Sequence, residues 1–180
     1  MSDSDYEADL TVPVSEHDHV QGPADAPVIL VEYGDFQCPY CGAAYPVVKD
    51  VQRHMGDRLR FVFRNFPIST SHPHAQGAAE AAEAAGAQGK FWEMHDMLYE
   101  HQAMLDQGHL QRMAQQVGVD GERFKEDMAE RRYEKRVRDD FMSGVRSGVN
   151  GTPTFFINGA RYDGRVDEAH LVTALQQAAQ

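Results

Sequence analysis

Cysteine, positive charge and long apolar runs are all scarce in this chain. It has 2 cysteines in 180 residues, too few for a disulfide-stapled scaffold, and it is long enough to bury a core without one. Acidic residues outnumber basic ones 28 to 17, for a net charge of −11. No basic patch offsets that charge, which excludes nucleic acid and argues against an anionic membrane surface as partner. No apolar run approaches the roughly 20 residues of a membrane span. The first residues, Met1-Ser2-Asp3-Ser4-Asp5-Tyr6-Glu7-Ala8-Asp9, are acidic where a signal peptide is basic and then apolar. Taken as a native start, they place the chain in the cytoplasm; a leader already removed would place it in the periplasm or outside the cell.

The two cysteines that are present stand three apart, in Cys38-Pro39-Tyr40-Cys41. Upstream, Pro27 to Tyr33 is a short apolar, β-branched run bounded by prolines, which predicts a buried strand. Gly34 to Gln37 reads as a loop, and Gly42 to Val51 as a helix interrupted by Pro46. Cys38 therefore falls where a strand gives way to a helix. Unpaired N–H groups and the positive end of the helix dipole favour an anion there. The Cys38 thiol should ionise below the ordinary value of about 8.5. Cys41, one helical turn on, is within reach for a small disulfide that opens and closes by exchange. Pro39 suits the first helical position, which needs no N–H. The rival readings are a zinc site and a structural or inert pair. A zinc site needs two more ligands than one CxxC supplies, and in a reducing compartment a lone CxxC is more often catalytic than structural.

Along the rest of the chain, residues 1–12 read as an acidic flexible tail. Pro13 to Pro27 is rich in turn signals and includes His17-Asp18-His19, expected to be a solvated loop rather than a metal pair. The first strand and active-site helix run to about Met55. Arg58 to Asn65 alternates polar and apolar residues, which predicts a strand with one buried face, parallel to the first across the crossover helix. From about Ser69 to Arg146 the pattern turns helical. Ala75–Gln88 is alanine-rich, and Gly89–Gln102, Leu110–Val117, Gly121–Glu130 and Arg131–Val145 follow. Met94, Met97, Met104, Met113, Met128 and Met142 lie in this block; core filling is the commoner use of methionine, an adaptable peptide-binding surface the rarer one. His72-Pro73-His74 reads as loop histidines, not ligands. After Gly151 come a strand, Thr154–Ile157, the hairpin signal Asn158-Gly159, a return strand from Arg161, and a helix, Glu168–Ala179, capped by Asp167.

The stretch Glu32-Tyr33-Gly34-Asp35-Phe36-Gln37-Cys38-Pro39-Tyr40-Cys41 and the stretch Thr152-Pro153-Thr154-Phe155-Phe156-Ile157-Asn158-Gly159, about 110 residues apart, together resemble the DsbA-like, thioredoxin-fold thiol:disulfide oxidoreductases. The resemblance covers about residues 13–178. It implies an α/β chain: residues 13–68 as the βαβ part with the CxxC, 69–147 as a helical insertion, and 148–180 as the ββα part. It also implies that Pro153 is a cis-proline against the CxxC loop, and that Thr152 offers backbone groups to a substrate strand in the manner of edge-strand addition. Glu32, six residues before Cys38, then matches a buried acid that exchanges a proton as Cys41 ionises.

The function so implied is exchange of disulfides with protein or peptide thiols through a mixed disulfide at Cys38, resolved by Cys41. Pro39 and Tyr40 support the pair, no metal or organic cofactor is needed, and a redox partner must reset it. Two alternatives stand beside it: a peptide-binding, chaperone-like module in which the CxxC is incidental, and a glutaredoxin-like, glutathione-dependent reductase suggested by the Pro39-Tyr40 spacer.

Overall fold

The computed structural model describes residues 9–180 of the chain. Within them the sheet runs, in spatial order, β1 (His19–Gln21), β3 (Leu59–Asn65), β2 (Val28–Gly34), β4 (Thr154–Ile157) and β5 (Ala160–Tyr162). Strands β2 and β3 are parallel, joined by the crossover helix α1 (Pro39–Met55); every other pairing is antiparallel. Helices α2 (Ala75–Gly86), α3 (Phe91–Glu100), α4 (Gln107–Gln116), α5 (Gly121–Ala129) and α6 (Glu134–Arg146) intervene between β3 and β4, and α7 (Glu168–Ala178) follows the β4–β5 hairpin.

The near-continuous apolar run of β2 is explained by its central place. Alternate residues point to opposite faces, and both faces are covered. Leu30, Phe61, Phe63 and Phe155 pack with α1, α7 and the helical block on one side. Val31, Tyr33, Val62 and Phe156 pack with Leu10, Phe66 and Val149 on the other, where Phe141 of α6 closes over them. Helix α2 is mostly alanine because it is a core helix; Ala78, Ala81, Ala82, Ala84 and Ala85 are fully buried, and small side chains let α3, α5 and α6 approach. At the hairpin, Asn158 and Gly159 both take positive φ (48° and 84°), as a two-residue turn of the primed type requires.

Several expectations need correcting. Strand β3 does not have one solvated face: Arg64 and Asn65 are buried, because the N-terminal segment and α6 lie over them. The Arg64 guanidinium donates to Asp18, to the carbonyls of Val12 and Pro13, and to the Tyr33 hydroxyl. Of His17-Asp18-His19, His17 is solvated in a turn as expected, and the other two are not. Asp18 pairs with Arg64, and His19 lies in β1, stacked on Phe91 at 3.5 Å and bonded to Glu83. Residues 9–12, counted with the acidic tail, hold defined contacts: the Leu10 side chain is buried, its N–H donates to the Gly159 carbonyl, and the Thr11 N–H donates to Ser147 Oγ. The rest of that stretch, residues 1–8, lies outside the described residues. The last helix of the block begins at Glu134, since Arg131 turns to a positive φ of 49° and ends the preceding segment.

Candidate active site

The register of the sheet assembles the site. Tyr33 of β2 pairs with Thr154 at the start of antiparallel β4, so the residues before Thr154 continue past the end of β2 toward the start of α1. That brings Thr152 against Cys38 across 114 residues of sequence: the Cys38 Sγ lies 3.6 Å from the Thr152 carbonyl oxygen. The Thr152–Pro153 peptide bond is cis. Cys38 is the N-cap residue of α1 in an extended conformation, Pro39 occupies the first turn, and the Gly42 N–H donates back to the Cys38 carbonyl at 3.0 Å. Both cysteines are buried free thiols, while Tyr40 between them is 76% exposed. Cys38, Cys41, Thr152, Pro153 and Glu32 thus converge, whereas Pro39 and Tyr40 form the outer lip.

The two thiols differ sharply in acidity. Cys38 is held down at about 5. The largest cause is the hydrogen bond from Cys41; burial opposes it, and the Thr152 side chain and the N–H groups of Cys41 and Tyr40 reinforce it. Cys41 is pushed strongly upward, first by burial, then because its proton is engaged with Cys38 and because Glu32 is near. Glu32, fully within the sheet between Phe63 and Phe155, is raised to about 8, by burial first and by the charge of Cys38 second. A group of this kind, one nucleophile poised as an anion and a second thiol kept protonated beside a weak acid, is built for proton-coupled thiol chemistry.

Side chains that the sequence alone did not single out hold the loop in place. The buried Asp35 carboxylate accepts from the N–H groups of Gln37 (2.8 Å) and Cys38 (3.1 Å) with one oxygen. Its other oxygen accepts from the Ile68 N–H (2.9 Å) and the His72 ring (2.7 Å). His72 is therefore an anchor of this loop, not a free loop histidine. Gln102, just beyond α3, donates to the carbonyls of Phe36 and Cys38, both at 2.9 Å. Gly42 is required for that clamp, because a Cβ there would come within 2.1 Å of the Gln102 amide oxygen. An acid in a short loop between a buried strand and a CxxC was the one local signal available for Asp35; Gln102 had none.

Of the six methionines in the helical block, Met94 and Met113 are in the core and Met97 and Met128 pack against it; Met104 and Met142 are the exposed ones. Among the described residues no group of three or more His, Cys, Asp or Glu could hold a metal ion.

Compared with known proteins, a family model described as Thioredoxin matches residues 14–177. The chain belongs to the thioredoxin family. Among solved structures, a thioredoxin-like oxidoreductase from Silicibacter pomeroyi is 28% identical with a TM-score of 0.80, covering 97% of this chain and 98% of that one. The α-DsbA1 protein of Wolbachia pipientis has the same fold at 16% identity, with a TM-score of 0.82 and 96% of each chain covered. The thioredoxin-family fold here is thus the DsbA-like one, carrying its helices between β3 and β4. A curated relative, the Na(+)/H(+) antiporter NhaA 1 of Salinispora arenicola, is 48% identical over 171 residues, which is 94% of this chain and 26% of the antiporter. The chain spans about a quarter of the length of such relatives. No described helix of this chain is long and apolar enough to cross a membrane.

Proposed function

We propose that this thioredoxin-family chain is a thiol:disulfide oxidoreductase acting on protein or peptide substrates through Cys38 and Cys41. The observation that carries the reading is the placement of the pair, with Cys38 at the N-cap of α1 and Cys41 one turn behind it: the Cys41 thiol and the N–H groups of Tyr40 and Cys41 hold Cys38 down at about 5, and burial keeps Cys41 protonated.

In the reducing direction the Cys38 thiolate attacks one sulfur of a substrate disulfide, and the other substrate sulfur leaves as a thiolate. Cys41 gives its proton to the Glu32 carboxylate and attacks the Cys38 sulfur. The Cys38–substrate bond breaks, the second substrate thiolate departs, and Cys38–Cys41 is left oxidised. The oxidising direction is the reverse. A substrate thiolate attacks Cys38 in the disulfide, Cys41 leaves and takes back the proton from Glu32, and a second substrate thiolate displaces Cys38. A Cys38 thiolate this stable favours the dithiol form and so favours donation of the disulfide to substrate. Thr152, ahead of Pro153, presents its backbone at the mouth of the site, where an extended substrate segment pairs with it. A separate redox partner then restores the disulfide. The compartment enters the proposal only through the potential of the pair, which also decides between donor and reductant.

The chaperone-like alternative has little to rest on, because four of the six methionines that suggested it belong to or lie against the core. The test is a pair of variants. Cys38→Ser is expected to abolish exchange with a disulfide peptide, and Cys41→Ser to accumulate a mixed disulfide at Cys38. Full exchange activity in Cys38→Ser would overturn the proposal.

A further inference from the structure

Behind Cys41 the packing leaves a point where no side chain stands. Gly34 ends β2, and a Cβ placed on it would lie 2.5 Å from the Phe63 ring, 2.7 Å from the Glu32 carboxyl oxygen and 2.8 Å from the Tyr99 hydroxyl. The two oxygens therefore lie beside Gly34 within about 5.5 Å of each other, not hydrogen-bonded in this arrangement and within reach of a bond by side-chain movement. Tyr99 comes from the last turn of α3, in the helical insertion, and its ring is fixed by Phe36 (4.9 Å), His95 (5.1 Å) and Tyr45 (5.4 Å). Its hydroxyl is buried and has no protein hydrogen-bond partner among the described residues. A buried phenol without a partner is costly and uncommon, and one is expected to have a reason.

We infer that Tyr99 is a positioning residue for the resolving step: its hydroxyl donates to the Glu32 carboxylate across Gly34, holding that carboxylate ready to take the Cys41 proton. The inference rests on the proposed role of Cys41 and Glu32. The phenol keeps its own proton throughout, since burial and the nearby Cys41 and Glu32 push its acidity well below that of free tyrosine. The proton moves from Cys41 sulfur to Glu32 oxygen, and the hydrogen bond from Tyr99 favours the ionised form that accepts it. The titratable groups beside Glu32 are Cys38 at the N-cap of α1, Cys41 within α1 and Tyr99 of α3; Asp35 of the loop lies near Tyr99, with His95 and Tyr45 behind the Tyr99 ring, and the flanking strand residues Phe63 and Phe155 carry none. Gly34 is needed here for the close approach, not for its backbone angles.

The test uses reduced protein and an aromatic disulfide, 5,5′-dithiobis(2-nitrobenzoate), in stopped flow. The first coloured thiolate released reports attack by Cys38, and the second reports attack by Cys41 on the mixed disulfide. In the wild type the second phase should rise with pH as Glu32 loses its proton, with a midpoint above that of a free carboxyl because of burial and below about 8, since Cys38 carries no charge in the mixed disulfide. Tyr99→Phe should leave the first phase unchanged. It should move the midpoint of the second phase up by about one unit, slowing it by up to about tenfold at pH values below the wild-type midpoint and not at high pH. A fluorinated tyrosine at 99, the same in shape with a more acidic hydroxyl, should move the midpoint down, which keeps the test valid if the Phe variant folds poorly. An unchanged second-phase profile in both overturns the role of Tyr99. A second phase that Glu32→Gln leaves unaltered overturns the underlying reading of Glu32 instead, so the two failures are separable.

Discussion

Removing the charge from Asp35 tests whether the active-site loop is held as described. In the folded chain its two oxygens accept from three backbone N–H groups and one imidazole, all within 3.1 Å, and the carboxyl is buried. Asparagine has the same shape, and its one carbonyl oxygen still serves the N–H groups of Gln37 and Cys38. Those bonds pass from charge-assisted to neutral, a loss of about 1 kcal/mol. At the other oxygen an NH₂ now confronts the Ile68 N–H, leaving a buried donor unpaired at about 1–3 kcal/mol. His72 relieves its own share by presenting the opposite tautomer. Asp35→Asn should therefore cost about 2–4 kcal/mol. For a chain of 180 residues that is a fall in Tm of roughly 4–15 °C. The assay is thermal unfolding of the reduced protein by circular dichroism, with Asp57→Asn, an exposed aspartate, as control at about ±0.5 kcal/mol. An Asp35→Asn protein melting within about a degree of wild type would show that the carboxylate does not anchor the loop.

Other outcomes follow from the same structure. Gly42→Ala drives a Cβ to 2.1 Å from the Gln102 amide oxygen, so the clamp on the Phe36 and Cys38 carbonyls opens; faster backbone hydrogen exchange at residues 36–42 is expected, and unchanged exchange would contradict it. Asp140, which accepts from Asn65, is raised to about 6 from 3.8, first by burial. The folded chain then holds that proton more tightly than the unfolded one, so this group's contribution is full below about pH 4 and is lost as pH rises through 6. Asp140→Asn keeps the acceptor and removes the titration, so its Tm should fall less than wild type between pH 4 and 7.5; parallel curves would be the contrary result.

What the sequence revealed was local. Cys38 and Cys41, the strand Thr154–Ile157, the Asn158-Gly159 turn and the Asp167 cap were legible because spacing, period and turn chemistry act over a few residues. What it hid was long-range. Gln102 reaches carbonyls 64 and 66 residues away, and Asp35 holds an N–H 33 residues on. Neither leaves a periodic trace. Strand β1 is three residues inside a stretch dense with turn signals, too short for alternation to register. Arg64 looked like the solvated side of an alternating strand; only the return of Asp18 and the N-terminal segment over it makes the site interior. Glu32 stood between the two cases, since family likeness suggested burial, and its pairing between Phe63 and Phe155 now explains it.

The most direct measurement is the reduction potential of the Cys38/Cys41 pair, by equilibration in glutathione buffers with the thiol state read by alkylation. A Cys38 thiolate stabilised at about 5 means about a hundred thiolates per thiol at pH 7, which favours the dithiol form. The account predicts a reversible two-electron couple well above thioredoxin's roughly −270 mV, toward the roughly −120 mV of a strong disulfide donor. A couple at or below about −270 mV, or a pair that does not oxidise reversibly at all, would contradict it.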